Sequence, residues 1–195
     1  MKRGKLISFS GIDGSGKTTQ VGNLSYVLQK MGYSVKTVGQ FETPVGQKCR
    51  EILSTEFDPY VRAFLFALDH YAAWEKTSAF LLENDFVITD RSLFCAIAYS
   101  VPRGLTEDWI LSLYEYLPRP DMAILLDVPI EIALERKSFD SLVPEKTPDF
   151  LSRVRNYYLC LAKRGWLSLV NGNLSVGEVT EHIMQLLVNA KVNQK

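Results

Sequence analysis

Residues Gly11-Ile12-Asp13-Gly14-Ser15-Gly16-Lys17-Thr18 fit the pattern G-x-x-x-x-G-K-[ST]. Few short patterns restrict a fold so tightly. The loop works only when a strand delivers the chain to it and a helix leaves from it, because converging backbone N–H groups and the positive end of the helix dipole make the phosphate site together. The flanks comply: Lys5–Ser10 is a continuous apolar run, and Leu24, Leu28 and Met31 recur at helical spacing behind the loop. Gly11, Gly14 and Gly16 allow close approach of the backbone, with Ser15 and Thr19 among the amide donors. Lys17 supplies a point charge for β- and γ-phosphates, and the Thr18 hydroxyl is a ligand type suited to Mg²⁺. A chance glycine-rich turn would lack both the strand before it and the helix after it. We therefore read residues 11 and 14–19 as an ATP-phosphate loop.

Two further apolar runs end in charged residues, Phe86–Asp90 (FVITD) and Met122–Asp127 (MAILLD), with weaker strand candidates at Ser34–Val38 and Trp166–Val170. Continuous runs of this kind suit strands covered on both faces. Helical patterns lie between them. A long one enters through Asp58-Pro59, an N-cap followed by proline at the first helical position, and the last begins with the capping box Ser175 and Glu178. Alternating strands and helices predict an α/β fold with a parallel sheet, ligands lying outside the carboxyl ends of its strands.

At 195 residues the chain has the length of one domain, 1–195. Lys plus Arg and Asp plus Glu both total 22, so no overall field draws the protein to nucleic acid or an anionic membrane. Cys49, Cys95 and Cys160 form no C-x-x-C pair, which argues against a disulfide framework or a cysteine zinc site and fits a reducing, cytoplasmic setting. The first residues hold too few apolar side chains for a signal or a membrane span.

Asp90-Arg91 directly follows FVIT, which places a carboxylate and a guanidinium at the same sheet edge as the glycine loop. As a structural ion pair the dipeptide would be unremarkable. Beside a phosphate loop, the carboxylate can hold Mg²⁺ through water and the planar guanidinium can take an acceptor phosphate bidentately.

Along nearly its whole length the chain resembles the bacterial and archaeal thymidylate kinases. FSGIDGSGKTTQ, PVGQKCREIL, LFALDH, ITDRSLFCAIAY, RGLTEDWI, MAILLDVPIEIALER and FLSRVRNYYLCLA follow one another in the family's order and spacing. The resemblance implies a three-layer P-loop fold around a five-stranded parallel sheet, a homodimer, and dTMP (thymidylate) bound between the loop, the long helix and the Asp90-Arg91 segment. It implies Asp13 near the deoxyribose 3′-hydroxyl, Phe66 stacking on the base, Arg50 facing the nucleotide, Arg91 on the acceptor phosphate, and Tyr99 crowding the 2′ position. Residues 137–148 align with the family's lid. By apolar pattern alone, Phe66 would be a core residue.

The chain departs from the family at several of these positions. The R-E-P-G-G segment reads Phe41-Glu42-Thr43-Pro44, without its arginine. His70 stands where bacterial members carry the arginine that reads thymine, and Ala96 and Ser100 occupy the small-hydroxyl and glutamine positions near the base. One imidazole in place of a cationic fork changes what the pocket can pair with and makes its charge depend on pH. The lid carries no arginine, which leaves Lys137, Lys146, Arg153 and Arg136, with Arg136 as our catalytic candidate.

These parts add up to phosphoryl transfer: a clamp on ATP (Lys17 and the loop), a metal held through Thr18 and Asp90, and an acceptor held in line. The expected reaction is ATP + dTMP → ADP + dTDP. The alternatives are a kinase of the same fold for another or several nucleoside monophosphates, and a P-loop regulator with weak turnover. Lys17→Ala should cut turnover by at least about 10²-fold while leaving the fold intact, because its charge serves phosphate rather than a core. ADP release measured beside circular dichroism checks this.

Overall fold

A computed structural model of the chain describes residues 3–53, 58–136 and 147–192. Five strands form one parallel sheet: β1 (Lys5–Ser10), β2 (Val35–Val38), β3 (Phe86–Asp90), β4 (Met122–Asp127) and β5 (Ser168–Asn171). Their spatial order is β2-β3-β1-β4-β5. The helices are α1 (Lys17–Lys30), α2 (Pro44–Leu53), α3 (Pro59–Glu83), α4 (Leu93–Ser100), α5 (Glu107–Leu113), α6 (Ile130–Arg136), α7 (Pro148–Lys163) and α8 (Val176–Val192), with a 3₁₀ turn over Val101–Arg103.

The three strands read from continuous apolar runs are the three central ones, and they match the structure residue for residue. Their middles are buried on both faces, whereas edge strand β2 exposes Lys36 and Thr37. Ile7, Phe9, Ile88, Ile124 and Leu126 pack toward α1 and α8. Ala123 and Leu125 face the opposite layer, where α3, α4, α5 and α7 contribute Ala63, Ile97, Ile110 and Leu161.

The helix boundaries follow local chemistry. Asp58 accepts from the backbone N–H of Tyr60 at 2.8 Å, capping α3 with Pro59 at its first position. Ser175 and Glu178 close a reciprocal box at α8: Glu178 accepts from Ser175 N at 2.9 Å, and Ser175 Oγ accepts from Glu178 N at 3.4 Å. The fifth strand starts two residues later than the expected Trp166. Gly165, at φ 75°, ends α7, and Trp166 N–H donates back to Leu161 O at 3.1 Å, so Trp166 belongs to the helix closure.

Because every strand runs the same way, the ends of β1, β3, β4 and β5 meet at one edge. Phe9 lies opposite Asp90, and Asp127 opposite Asn171. Ile124, fully buried in β4, tests the core: Ile124→Ala should destabilise by about 2–5 kcal/mol. Leu82→Ala, at a side chain 77% exposed, should change stability by under about 0.5 kcal/mol. Denaturant titration of both variants checks the contrast.

Candidate active site

The glycine loop leaves β1 and enters α1 through Gly16, whose φ of 93° is open to glycine at little cost. No side chain caps α1 and no acidic residue lies in its first turn, so the helix itself brings no negative charge to its first N–H groups. Gly14 is fixed by a close approach. A Cβ there would lie 2.2 Å from Ala133 O, because α6 packs against the loop.

Lys17 is 6% exposed and folds back over the loop, donating to Gly11 O at 3.1 Å and Ile12 O at 2.9 Å. Burial first, and Arg91 second, bring its pKa down to about 8, while Asp13 and Asp90 oppose the shift. Thr18 donates its hydroxyl proton to Asp90 Oδ2 at 2.6 Å. The other carboxylate oxygen, Oδ1, is buried and lacks a hydrogen-bond partner. A hydroxyl and an orphaned carboxylate oxygen beside a phosphate loop fit the oxygen ligands Mg²⁺ takes, with its remaining positions left for phosphate and water. Among the described residues no group of three or more His, Cys, Asp or Glu side chains is arranged to hold a metal by itself.

Arg91 adopts φ 90°, strained for a residue with a side chain. Its N–H donates to Phe9 O at 3.0 Å, and its guanidinium forms an ion pair with Asp13. Burial works against the arginine's charge, but Asp13 together with Cys95, Tyr99 and Tyr158 outweighs it and holds the pKa well above the ordinary value. Asp13 N in turn donates to Tyr99 OH at 3.2 Å. Three residues assigned separate positions in the sequence, Asp13, Arg91 and Tyr99, thus form one connected group.

Phe66 is half-buried and lies outside the core clusters, its ring 5.9 Å from that of Phe41. The apolar pattern that favoured a core position does not hold, because Phe66 meets Phe41 of the segment between β2 and α2 instead of the core. Phe41 has a φ of 61°, and its N–H donates to both carboxylate oxygens of Asp69, at 3.2 and 3.3 Å. Asp69 is 1% exposed; burial, then Glu42, push its pKa up to about 6 against the Phe41 hydrogen bond.

His70 Nδ1 lies 2.9 Å from Tyr114 OH, and its Nε2 is buried without a partner. Burial, then Arg91, lower its pKa to about 4. The expectation of a charge that varies near neutral pH is therefore corrected: in this enclosure beside a guanidinium, His70 is neutral. With Trp74, Asp90, Arg91 and Leu117 it lines a cavity between α3 and the end of β3. Ala96 and Ser100 are buried within α4, and Ala96 packs in the core.

Arg50 is exposed on α2, and Thr19 is exposed in the first turn of α1. Arg136 donates to Gly172 O at 2.9 Å, which ties it to the turn after β5. Arg153 donates to Pro102 O at 3.2 Å. Lys137, Lys146 and most of the 137–148 segment lie outside the described residues. Reading the sequence missed Asp69 and Tyr114. Asp69 sits inside the quoted LFALDH stretch, where its apolar neighbours hinted at a buried carboxylate, but nothing local marks Tyr114.

A thymidylate kinase family profile matches residues 9–183. A protein of Saccharolobus solfataricus named "Probable thymidylate kinase 1" is 36% identical over 94% of this chain and 96% of its own. One of Methanocaldococcus jannaschii named "Probable thymidylate kinase" is 38% identical over 94% and 96%. The solved structure of thymidylate kinase from Candida albicans superposes with a TM-score of 0.82 over 97% of this chain and 93% of that one; at 24% identity it is a likeness of fold.

Asp69 gives a pH test. Its protonated form is favoured in the fold, since an unfolded aspartate titrates near 3.8 and this one near 6. Its contribution to stability is full below about pH 4 and is lost as pH rises through about 6. Asp69→Asn, neutral throughout, should therefore gain about 1–3 kcal/mol on the parent between pH 4 and 7. Parallel denaturant titrations across that range check the trend.

Proposed function

The chain belongs to the thymidylate kinase family, and on that premise we propose that it moves the γ-phosphoryl group of Mg·ATP onto dTMP through the residues gathered at the carboxyl edge of its sheet. The carrying observation is the pair of links that joins donor and acceptor machinery: Thr18 to Asp90 and Asp13 to Arg91. Both cross from the glycine loop to the end of β3.

The backbone N–H groups of the glycine loop and of the first turn of α1, with the Lys17 ammonium, hold the β- and γ-phosphates of ATP. Thr18 and Asp90 would hold Mg²⁺, which neutralises charge on the phosphate oxygens when bound. Arg91 grips the acceptor phosphate, and its partner Asp13 takes the sugar 3′-hydroxyl. Tyr99, held by Asp13 N–H, fills the space a 2′-hydroxyl would need. Phe66 stacks on the base, His70 meets its edge, and Arg50 approaches the nucleotide from α2. An oxygen of the dTMP phosphate then bonds to the γ-phosphorus of ATP as the bond to the bridging oxygen breaks, giving dTDP and ADP. The attacking oxygen is already anionic, so no general base is needed. Arg136, at the root of the lid, supplies positive charge to the transferred group once released from Gly172.

Two further parts of this reading concern the protein's state. The exposed apolar side chains Val61, Phe64 and Leu68 of α3 and Val45 and Ile52 of α2 support a homodimer formed through these helices. Three free cysteines support a reducing, cytoplasmic location. No helix among the described residues is long and apolar enough to cross a membrane.

ADP release with ATP and each of dTMP, dUMP, UMP, CMP, dGMP and AMP tests the activity, with dTMP expected to be the best acceptor. Arg91→Ala should weaken monophosphate binding by about 1.5–3 kcal/mol and ATP binding much less. Calorimetric titration with each nucleotide decides it, and equal losses would mark a purely structural ion pair.

A further inference from the structure

The His70–Tyr114 contact sets which nitrogen of the imidazole carries the proton. Tyr114 is 4% exposed, and burial holds its phenol neutral, its pKa well above the ordinary value. The neutral partners at 2.9 Å share one hydrogen between oxygen and Nδ1. A phenol O–H is a much stronger acid than the N–H of a neutral imidazole, and an imidazole nitrogen is a much better acceptor than a phenol oxygen. The stable arrangement therefore has Tyr114 donating to Nδ1, which leaves the ring proton on Nε2.

Nε2 is also the atom without a partner in the buried interior. An N–H donor left unpaired away from water is costly, and the cost is removed by a ligand that brings an acceptor. His70 lies one helical turn beyond Phe66 on α3 and lines the same cavity as Arg91 and Tyr114. Resting on the acceptor site described above, we propose that Tyr114 is a positioning residue that locks His70 with its proton on Nε2, making the cavity select a pyrimidine with a carbonyl at C4 over one with an amino group there. A 4-oxo base completes the Nε2–H hydrogen bond. A 4-amino base sets donor against donor and leaves both unpaired. The proposal differs from reading by a cationic fork: the selecting group is neutral, and its direction depends on a second side chain from α5's end.

The chain has two histidines, so ¹⁵N NMR of histidine-labelled protein, with His182→Gln for assignment, reads the His70 tautomer directly. The expected result is a protonated Nε2 and an unprotonated Nδ1 from about pH 6 to 8. Tyr114→Phe removes only the hydroxyl. It should yield a mixture of tautomers and lower the preference for dTMP over dCMP in kcat/KM by about tenfold, through KM with kcat nearly unchanged. A proton on Nδ1 in the parent protein overturns the proposal even if the variant fails to fold. So does a Tyr114→Phe protein with unchanged tautomer and unchanged preference. If the parent does not phosphorylate dTMP at all, the acceptor reading falls and takes this proposal with it. If dTMP turns over well but the tautomer is wrong, this proposal alone fails.

Discussion

Everything in this protein hangs on β1 being dry on both faces. A strand so placed can lie only in the middle of a sheet, with α1 and α8 against Ile7 and Phe9 on one side and α3 against Leu6 on the other. Parallel neighbours then follow, because each crossover helix must cover a face. Parallel strands bring their carboxyl ends to a common edge, and the glycine loop, the Asp90-Arg91 step and Asp127 all arrive there without further design. Asp127 is fixed by Arg155 of α7 at 2.7 and 2.9 Å, so even this end of β4 is tied to a helix rather than left to solvent.

The edge carries charge in unusually close quarters. Asp13 and Asp90 act on the charge of Lys17, and Asp13 acts on that of Arg91. Burial and then the nearby Arg91 disfavour charge on Lys17, and the two carboxylates oppose them only in part. Polyanionic phosphate would relieve the same repulsion. The loop is thus arranged in advance for negative charge, with Lys17 folded over the carbonyls of Gly11 and Ile12.

Much of this was legible in the residue order. The central strands announced themselves because double burial leaves an uninterrupted apolar run, and the caps at Asp58 and Ser175 because their chemistry is local. Trp166 was misread as strand because its role depends on Gly165 adopting a left-handed turn. The site divides in the same way. Lys17, Thr18 and Arg91 sit in contiguous motifs, but the Asp69–Phe41 and His70–Tyr114 contacts join residues 28 and 44 positions apart. No periodicity reports such pairs. The neutrality of His70 escaped for the same reason, since burial and the nearness of Arg91 are properties of the folded chain.

The bare start of α1 couples the protein's heat tolerance to its surroundings. A helix whose first turn has neither a capping side chain nor an acidic neighbour is completed by whatever anion settles on it, so part of the folding free energy resides in the solution rather than in the polypeptide. Once nucleotide exceeds its dissociation constant, each further tenfold rise adds about 1.4 kcal/mol to the folded state. A cell depleted of nucleotide would hold a less durable protein than a well-fed one, with the same sequence and the same contacts.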